Sequence, residues 1–287
     1  MKDTEIRNTT LILGFFDGIH VGHRTLISEA VKFAKENNSK TILLTFSKSP
    51  AEYFSSEPTN YIFPRGYNYS IIRSLGVDIV NESEFSSLID VDAESYLENV
   101  ISTFSPIAIF TGFNYTFGAG KTGTPELLKK NQGKYNYKYF CIAPAKYDNQ
   151  IISSTVIKEN LLNGNIELAN KLLAQPFSLS SKVVKGNQLG RKIGFPTANM
   201  IYPENIIKIP FGVYNVRVFN KNAILNWGSK PTISGKEPIL EVHIPNFSED
   251  LYEKILDVQI IKRIRDEKKF QSVDELKEQI KKDLERC

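Results

Sequence analysis

The stretch Gly14-Phe-Phe-Asp-Gly-Ile-His-Val-Gly-His23 decides how the first half of this chain is read. It follows an apolar run, Leu11 to Leu13, and precedes an amphipathic run from Leu26 to Ala34. That order places it where a buried strand turns into a helix. Gly14, Gly18 and Gly22 keep the turn free of side-chain bulk, so backbone N–H groups can approach a ligand closely. A helix N-terminus carries unpaired N–H donors and a partial positive charge, which suits phosphate. Taken singly, His20 or His23 would be read as an ordinary structural histidine. Framed together by three glycines, they read as a grip on a nucleotide phosphate chain. Nucleotidyl transfer needs positive groups there, because charge develops at the α-phosphate and on the departing pyrophosphate. Asp17 fits a helix cap and an anchor behind the histidines equally well.

Working outward, short apolar runs alternate with helical spacing. Thr10–Leu13, Thr41–Phe46, Val77–Val80 and Ile107–Thr111 read as strands, with helices over Thr25–Glu36, Tyr69–Leu75 and Ala93–Thr103 between them. Such alternation predicts a Rossmann-like α/β domain, a parallel sheet covered by helices, with its ligand at the carboxyl ends of the strands. A helical stretch from Ser153 to Ala174, broken at Asn163-Gly-Asn165, ends at Gln175-Pro176. Beyond it the chain changes character. Phe177–Val184, Gly212–Phe219, Ala223–Trp227, Leu240–Ile244 and Ile255–Ile264 read as strands separated by Gly, Pro and Asn clusters, which predicts a small antiparallel β-barrel. A terminal helix closes the chain, with Ser272 and Glu275 as a capping box and Val273, Leu276, Ile280 and Leu284 as its apolar stripe. Two domains follow, 1–175 and 176–287.

Composition narrows the class. The formal charge of +4 is mild and spread along the chain, so no nucleic-acid partner is expected. Cys141 and Cys287 have neither metal-like nor redox spacing, which fits a reducing compartment without disulfides. No apolar run reaches membrane-spanning length, and Met-Lys-Asp-Thr-Glu has no signal-peptide core. The expectation is a cytoplasmic protein with no membrane partner.

Three further segments carry chemistry. Gly112-Phe-Asn-Tyr-Thr-Phe-Gly118 is a glycine-framed loop after a strand, and Ser153-Ser-Thr155 opens a helix with hydroxyls that can cap it or bind phosphate. The longest string is Gly186-Asn-Gln-Leu-Gly190-Arg-Lys-Ile-Gly194-Phe-Pro-Thr-Ala-Asn199. A glycine-punctuated loop bearing Arg191 and Lys192 can cradle phosphates. Thr197 and Asn199 are oxygen ligands of the kind Mg²⁺ accepts, on one face of an extended segment. Glu241, between Leu240 and Val242, reads on its own as a solvent-facing charge of an alternating strand.

The arrangement H-x-G-H resembles the nucleotidyltransferase superfamily. The fuller form G-x-F-D-G-x-H-x-G-H resembles the N-terminal module of the bacterial bifunctional riboflavin kinase/FAD synthetase family, and G-R-x-x-G-F-P-T-A-N resembles the riboflavin kinase signature. Resemblance runs through nearly the whole chain in order, including Asn226-Trp-Gly-Ser-Lys-Pro-Thr232 and Ile264-Arg-Asp-Glu-Lys-Lys-Phe270. It implies two reactions using Mg²⁺ and ATP: phosphorylation of riboflavin to FMN in the barrel, and adenylylation of FMN to FAD with release of pyrophosphate in the first domain. It implies catalytic roles for His20, His23 and Glu241, the last as general base. It implies metal ligation by Thr197 and Asn199. It implies binding roles for Gly14, Phe16, Asp17, Gly18, Asn114, Ser153, Ser154, Thr155, Lys158, Gly186, Gly190, Arg191, Lys192 and Arg265. The partners are small molecules: riboflavin, FMN, FAD and ATP. Val156 and Lys158 stand where the family commonly has arginines, Lys121 likewise, and Glu253 replaces a glycine. Three alternatives stand beside the bifunctional reading: a riboflavin kinase with a silenced first module, a first domain that adenylylates another acceptor such as phosphopantetheine or a polyol phosphate, against which the attached barrel argues, and a non-catalytic flavin-binding regulator.

Overall fold

The computed structural model describes residues 7–55, 59–186, 188–229 and 238–287. The chain divides into two compact units, Met1–Ser154 and Thr155–Cys287.

Strand β1 (Thr9–Leu13) is buried at every position, as a central parallel strand must be when helices cover both faces. Its neighbours are β2 (Lys40–Phe46) and β4 (Pro106–Gly112), with β3 (Ile79–Ser83) and β5 (Lys138–Ile142) at the edges, giving the order β3-β2-β1-β4-β5. Pairing is parallel throughout this sheet. Ile12 faces a core formed with α1 (Val21–Glu36) and α3 (Arg65–Ser74), which follows the short helix α2 (Pro50–Phe54). Leu11 and Leu13 face the opposite core with α4 (Ala93–Phe104) and α5 (Pro125–Tyr135). Burying each such side chain stabilises the sheet by about 1.5–3 kcal/mol. Strand order reverses between β1 and β4, so the loops after them flank the topological switch point. Those loops begin at Gly14 and Gly112, the two glycine-rich segments singled out in this half.

Several boundaries differ from expectation. Helix α1 begins at Val21 rather than Thr25, because the His20 ring caps it. The third strand starts later than Val77: Asp78 is tied to Thr41 through both its backbone N–H and its side chain, and the ladder begins beyond it. Strand β5 was not expected; its mixed exposure gives no continuous apolar run.

A small hairpin, β6 (Lys146–Tyr147) with β7 (Gln150–Ile151), ends the first unit. In the second unit α6 (Ser154–Leu162) and α7 (Ile166–Leu173) precede β8 (Phe177–Val184). Asn170 on α7 donates to the Ile260 carbonyl at 2.9 Å and accepts from Phe177 N–H at 2.7 Å, which ties α7 to the barrel. The barrel adds β9 (Ala198–Met200), β10 (Gly212–Val218), β11 (Lys221–Ser229), β12 (Pro238–His243) and β13 (Ile255–Arg265), closed in the order β10-β11-β12-β9-β8-β13. A short helix α8 (Leu189–Lys192) lies between β8 and β9, and α9 (Val273–Leu284) closes the chain. Ser272 caps α9 by accepting from Glu275 N–H at 3.2 Å, while Glu275 reaches back to Gln271 N–H at 3.1 Å. Val273 is 51% exposed and stands outside the apolar stripe expected to include it.

The loop after β4 is pinned where Gly118, at φ 71°, presses on the start of α4. A Cβ there would lie 2.6 Å from the Ala93 backbone. Gly118→Ala combines that clash with left-handed strain and is expected to lower stability by about 1–3 kcal/mol. Urea unfolding followed by far-UV circular dichroism checks it; an unchanged midpoint refutes the packing argument.

Candidate functional site

The turn after β1 is held by buried side chains from distant elements. Asp17, only 2% exposed, accepts from Ile62 N–H at 3.0 Å through Oδ1, and its carbonyl accepts from the Ser154 hydroxyl at 2.9 Å. Gly18 N–H donates to Asn68 Oδ1 at 3.1 Å; Asn68, wholly buried on α3, donates in turn to the Phe63 carbonyl at 3.3 Å. Asp17 is thus an anchor of the turn, while the cap of α1 is His20. Wholly buried Ile19 sits at φ 43°. For a β-branched residue this left-handed conformation costs of order 1–3 kcal/mol, and the surrounding hydrogen bonds hold it. One of them runs from Arg24 Nε to the Ile19 carbonyl at 3.0 Å.

His20 Nδ1 accepts the His23 N–H at 3.4 Å, which places the proton of the neutral ring on Nε2. The two imidazoles stack at 3.8 Å and 19°, with Phe16 at 5.0 Å from His23. Burial pushes His20 down to about 4. Burial, and then the neighbouring His20, hold His23 well below its ordinary range. Burial thus favours the neutral form of both rings. They can act as hydrogen-bond donors, and an arriving phosphate, as an opposite charge, favours their protonation.

Arg65 was not visible as a site residue. It stacks on Phe15 at 4.7 Å and Tyr69 at 5.0 Å, donates to the Phe16 carbonyl at 3.2 Å and to the Phe46 carbonyl, and pairs with Glu82 at 3.7 Å. It ties the ends of β1, β2 and β3 together. Beside these ends a cavity of about 310 Å³ is bounded by Gly14, Phe46, Ser83, Tyr96 and Tyr115. Asn114 stands in the exposed turn after β4, before Tyr115. Ser153 and Ser154 end the first unit, Ser154 opening α6, and Thr155 and Lys158 follow on that helix in the second.

In the barrel, pairing brings separated residues into one row. Asn199 on β9 pairs with Glu241 on β12, and Glu241 pairs with Asn226 on β11. Asn226 Nδ2 donates to Glu241 Oε2 at 3.3 Å. Leu240 and Val242 are buried in the barrel, so the alternation that made Glu241 look solvent-facing turns it into a cavity of about 440 Å³. The lining is largely apolar, with Ile193, Phe195, Val213, Phe270 and Ile280 among its residues. His243 also lines it and fixes the preceding loop, its Nδ1 lying 2.8 Å from the Pro196 carbonyl. Thr197 borders both this cavity and a second one of about 540 Å³, where Arg191, Asp250 and Tyr252 stand. Gly190 closes the Arg191–Lys192 turn by accepting from Phe195 N–H at 2.8 Å. Asn199 is buried against Gly186, where a Cβ would lie 2.5 Å from its Nδ2. Arg265 is engaged with Asp283, an ion pair the sequence did not disclose. Asn187 and residues 230–232 of the matched segments lie outside the described residues.

Comparison with known proteins matches residues 2–156 to the FAD synthetase family and residues 173–287 to the riboflavin kinase family. The chain is 41% identical to a bifunctional riboflavin kinase/FMN adenylyltransferase of Buchnera aphidicola subsp. Schizaphis graminum, over 97% of this chain and 92% of that one. It is 33% identical to a protein of the same description from Haemophilus influenzae, over 98% and 93%. Among solved structures, a macrolide-efflux protein from Streptococcus pneumoniae is similar at a TM-score of 0.87 and 32% identity, over 97% of this chain and 93% of that one. Among the described residues, no helix is long and apolar enough to cross a membrane.

Two outcomes follow from this geometry. His20 is harder to protonate folded, at about 4, than at its ordinary 6.5, so its stabilising contribution is fully present above pH 6.5 and is lost as pH falls through about 4. Urea midpoints at pH 7.5 and 5.5 should differ, and His20→Gln should remove about 1 kcal/mol of that difference. In the barrel, Gly186→Ala should displace the Asn199 amide and weaken ATP-dependent turnover there, with the circular dichroism spectrum unchanged.

Proposed function

This chain belongs to the bifunctional riboflavin kinase/FMN adenylyltransferase family, and from that premise we propose that its barrel phosphorylates riboflavin and its α/β unit adenylylates the resulting FMN. The observation that carries the barrel assignment is Glu241 and Asn226 facing a largely apolar cavity, with buried Asn199 paired beside Glu241. An isoalloxazine ring fits such a lining, and the ribityl 5′-hydroxyl then reaches Glu241. Glu241 takes the hydroxyl proton as the oxygen attacks the γ-phosphate of ATP, while the Asn226 amide holds the carboxylate in place. ATP occupies the neighbouring cavity, where Arg191 meets its phosphates and Thr197 stands at the junction with the acceptor.

The donor set there suits Mg²⁺. The Thr197 hydroxyl and Asn199 amide are hard oxygen ligands, and the absent side chain at Gly186 leaves the space that the Asn199 amide occupies. Bound with ATP, Mg²⁺ would neutralise charge on the transferring phosphoryl group.

In the α/β unit the nucleophile is the FMN phosphate, already anionic at neutral pH. Such a site needs positioning and charge stabilisation rather than a base. The His20 and His23 rings, the N-terminus of α1 and the N–H groups of the Gly14–His23 turn provide donors for the α-phosphate and pyrophosphate. The compact units divide at 154/155, earlier than the 175/176 boundary expected from Gln175-Pro176, because α6 and α7 group with the barrel, to which Asn170 ties α7. We expect the protein to work on soluble small molecules in the cytoplasm.

The direct test is to incubate the purified protein with riboflavin, ATP and Mg²⁺ and to separate the flavins over time. FMN followed by FAD is expected; FMN alone would select a kinase with a silent first module. Glu241→Ala should slow FMN formation by about 10²–10⁴-fold and spare adenylylation of supplied FMN. His23→Ala should do the reverse. Unchanged FMN formation in Glu241→Ala would remove Glu241 from its role.

A further inference from the structure

The wall of the 440 Å³ cavity opposite the barrel is α9, which contributes Leu276, Ile280 and Asp283. Their spacing puts all three on one helical face. Among the residues of α9, Asp283 alone is buried, at 1% exposure; Leu276 and Ile280 are half-buried and Val273 is exposed. So little apolar burial does not fix a helix by itself. The carboxylate, by contrast, is fully engaged. Arg265 Nε donates to Oδ1 and Oδ2 at 3.1 and 3.0 Å, and Nη2 donates to Oδ2 at 2.8 Å. Gln279, one turn earlier on α9, adds a bond to Oδ1 at 2.9 Å. Arg265 is itself fixed at the end of β13, with Nη1 donating to the Asp266 carbonyl at 2.9 Å and the Phe270 ring 5.8 Å away.

We propose that the Arg265–Asp283 pair latches α9 onto the barrel as a wall of the flavin cavity, which makes Asp283 a positioning residue for the acceptor flavin. The inference rests on the reading of this cavity as the riboflavin site. A buried ion pair often adds little net stability compared with an apolar replacement. What the planar fork adds is geometry: its parallel bonds fix the height and rotation of α9 over the cavity. Those determine where Leu276 and Ile280 meet the flavin ring. The ATP cavity does not include α9, so the latch acts on the acceptor and not on the donor.

The test uses the full-length protein. In Asp283→Asn, initial rates are measured with riboflavin and ATP varied separately, and hydrogen–deuterium exchange is followed over residues 273–284. The KM for riboflavin should rise about tenfold, while the KM for ATP and the rate of FMN adenylylation stay within about twofold. The α9 amides should exchange faster in the flavin-free protein. Arg265→Lys, which keeps the charge and loses the fork, should fall between wild type and Asp283→Asn. An unchanged riboflavin KM overturns the latch, and so does a loss confined to kcat or to the KM for ATP. Should Asp283→Asn fail to fold, Gln279→Ala removes only one bond to the carboxylate. A smaller rise in the riboflavin KM then supports the proposal, and no rise overturns it. Failure of the cavity reading shows separately: α9 of the wild-type protein would gain no exchange protection on saturation with riboflavin, and the latch would fall with that reading.

Discussion

The turn between β1 and α1 leaves a strand that is buried on both faces, so its backbone polar groups must find partners within the protein. Much of the first unit is organised around that constraint. Loose backbone at the end of a buried strand would leave polar groups without water or partners. Asp17 and Asn68 answer this with hydrogen bonds from inside the protein, and Ser154 reaches the same loop from the far end of the unit. The left-handed Ile19 is tolerated because the clamps over-determine it. Remove the clamps, and the glycines that make the turn open would also make it shapeless.

The two units solve different chemical problems with different kinds of order. In the barrel, β-pairing brings Asn199, Glu241 and Asn226 together, so register is the device that assembles the site. A slip of one residue would turn Glu241 into the barrel and Val242 toward the cavity. In the α/β unit, the strands deliver two loops to one edge of the sheet, and side chains from other segments then shape those loops. The alcohol of riboflavin needs a base, the role we propose for Glu241. The phosphate of FMN needs none, and burial in the first unit disfavours charge on His20 and His23.

The sequence disclosed most of what is local. The continuous run Thr10–Leu13 and the strongly alternating barrel strands carry their own periodicity, and the motif strings mark their loops directly. What stayed hidden depends on distance or on weak pattern. Strand β5, Lys-Tyr-Phe-Cys-Ile, is an edge with mixed exposure, and β9 is three residues long, so neither shows a usable period. The early start of α1 rests on a histidine cap that propensity does not foresee. Arg65 and Asn68 lie on a helix far along the chain from the turn they support. Arg265 and Asp283 sit on a strand and a helix, with nothing in their spacing to pair them. Asp17 could be read two ways until the Ile62 amide was seen to bind it.

Among the described residues of the motif string, Thr197 alone borders both barrel cavities. If the two cavities hold donor and acceptor as we propose, a wall they share cannot be altered on one side alone. Adaptation toward another phosphate donor, or toward a bulkier flavin analogue, would have to proceed through paired changes around this position. Each pocket thereby constrains the evolvability of the other.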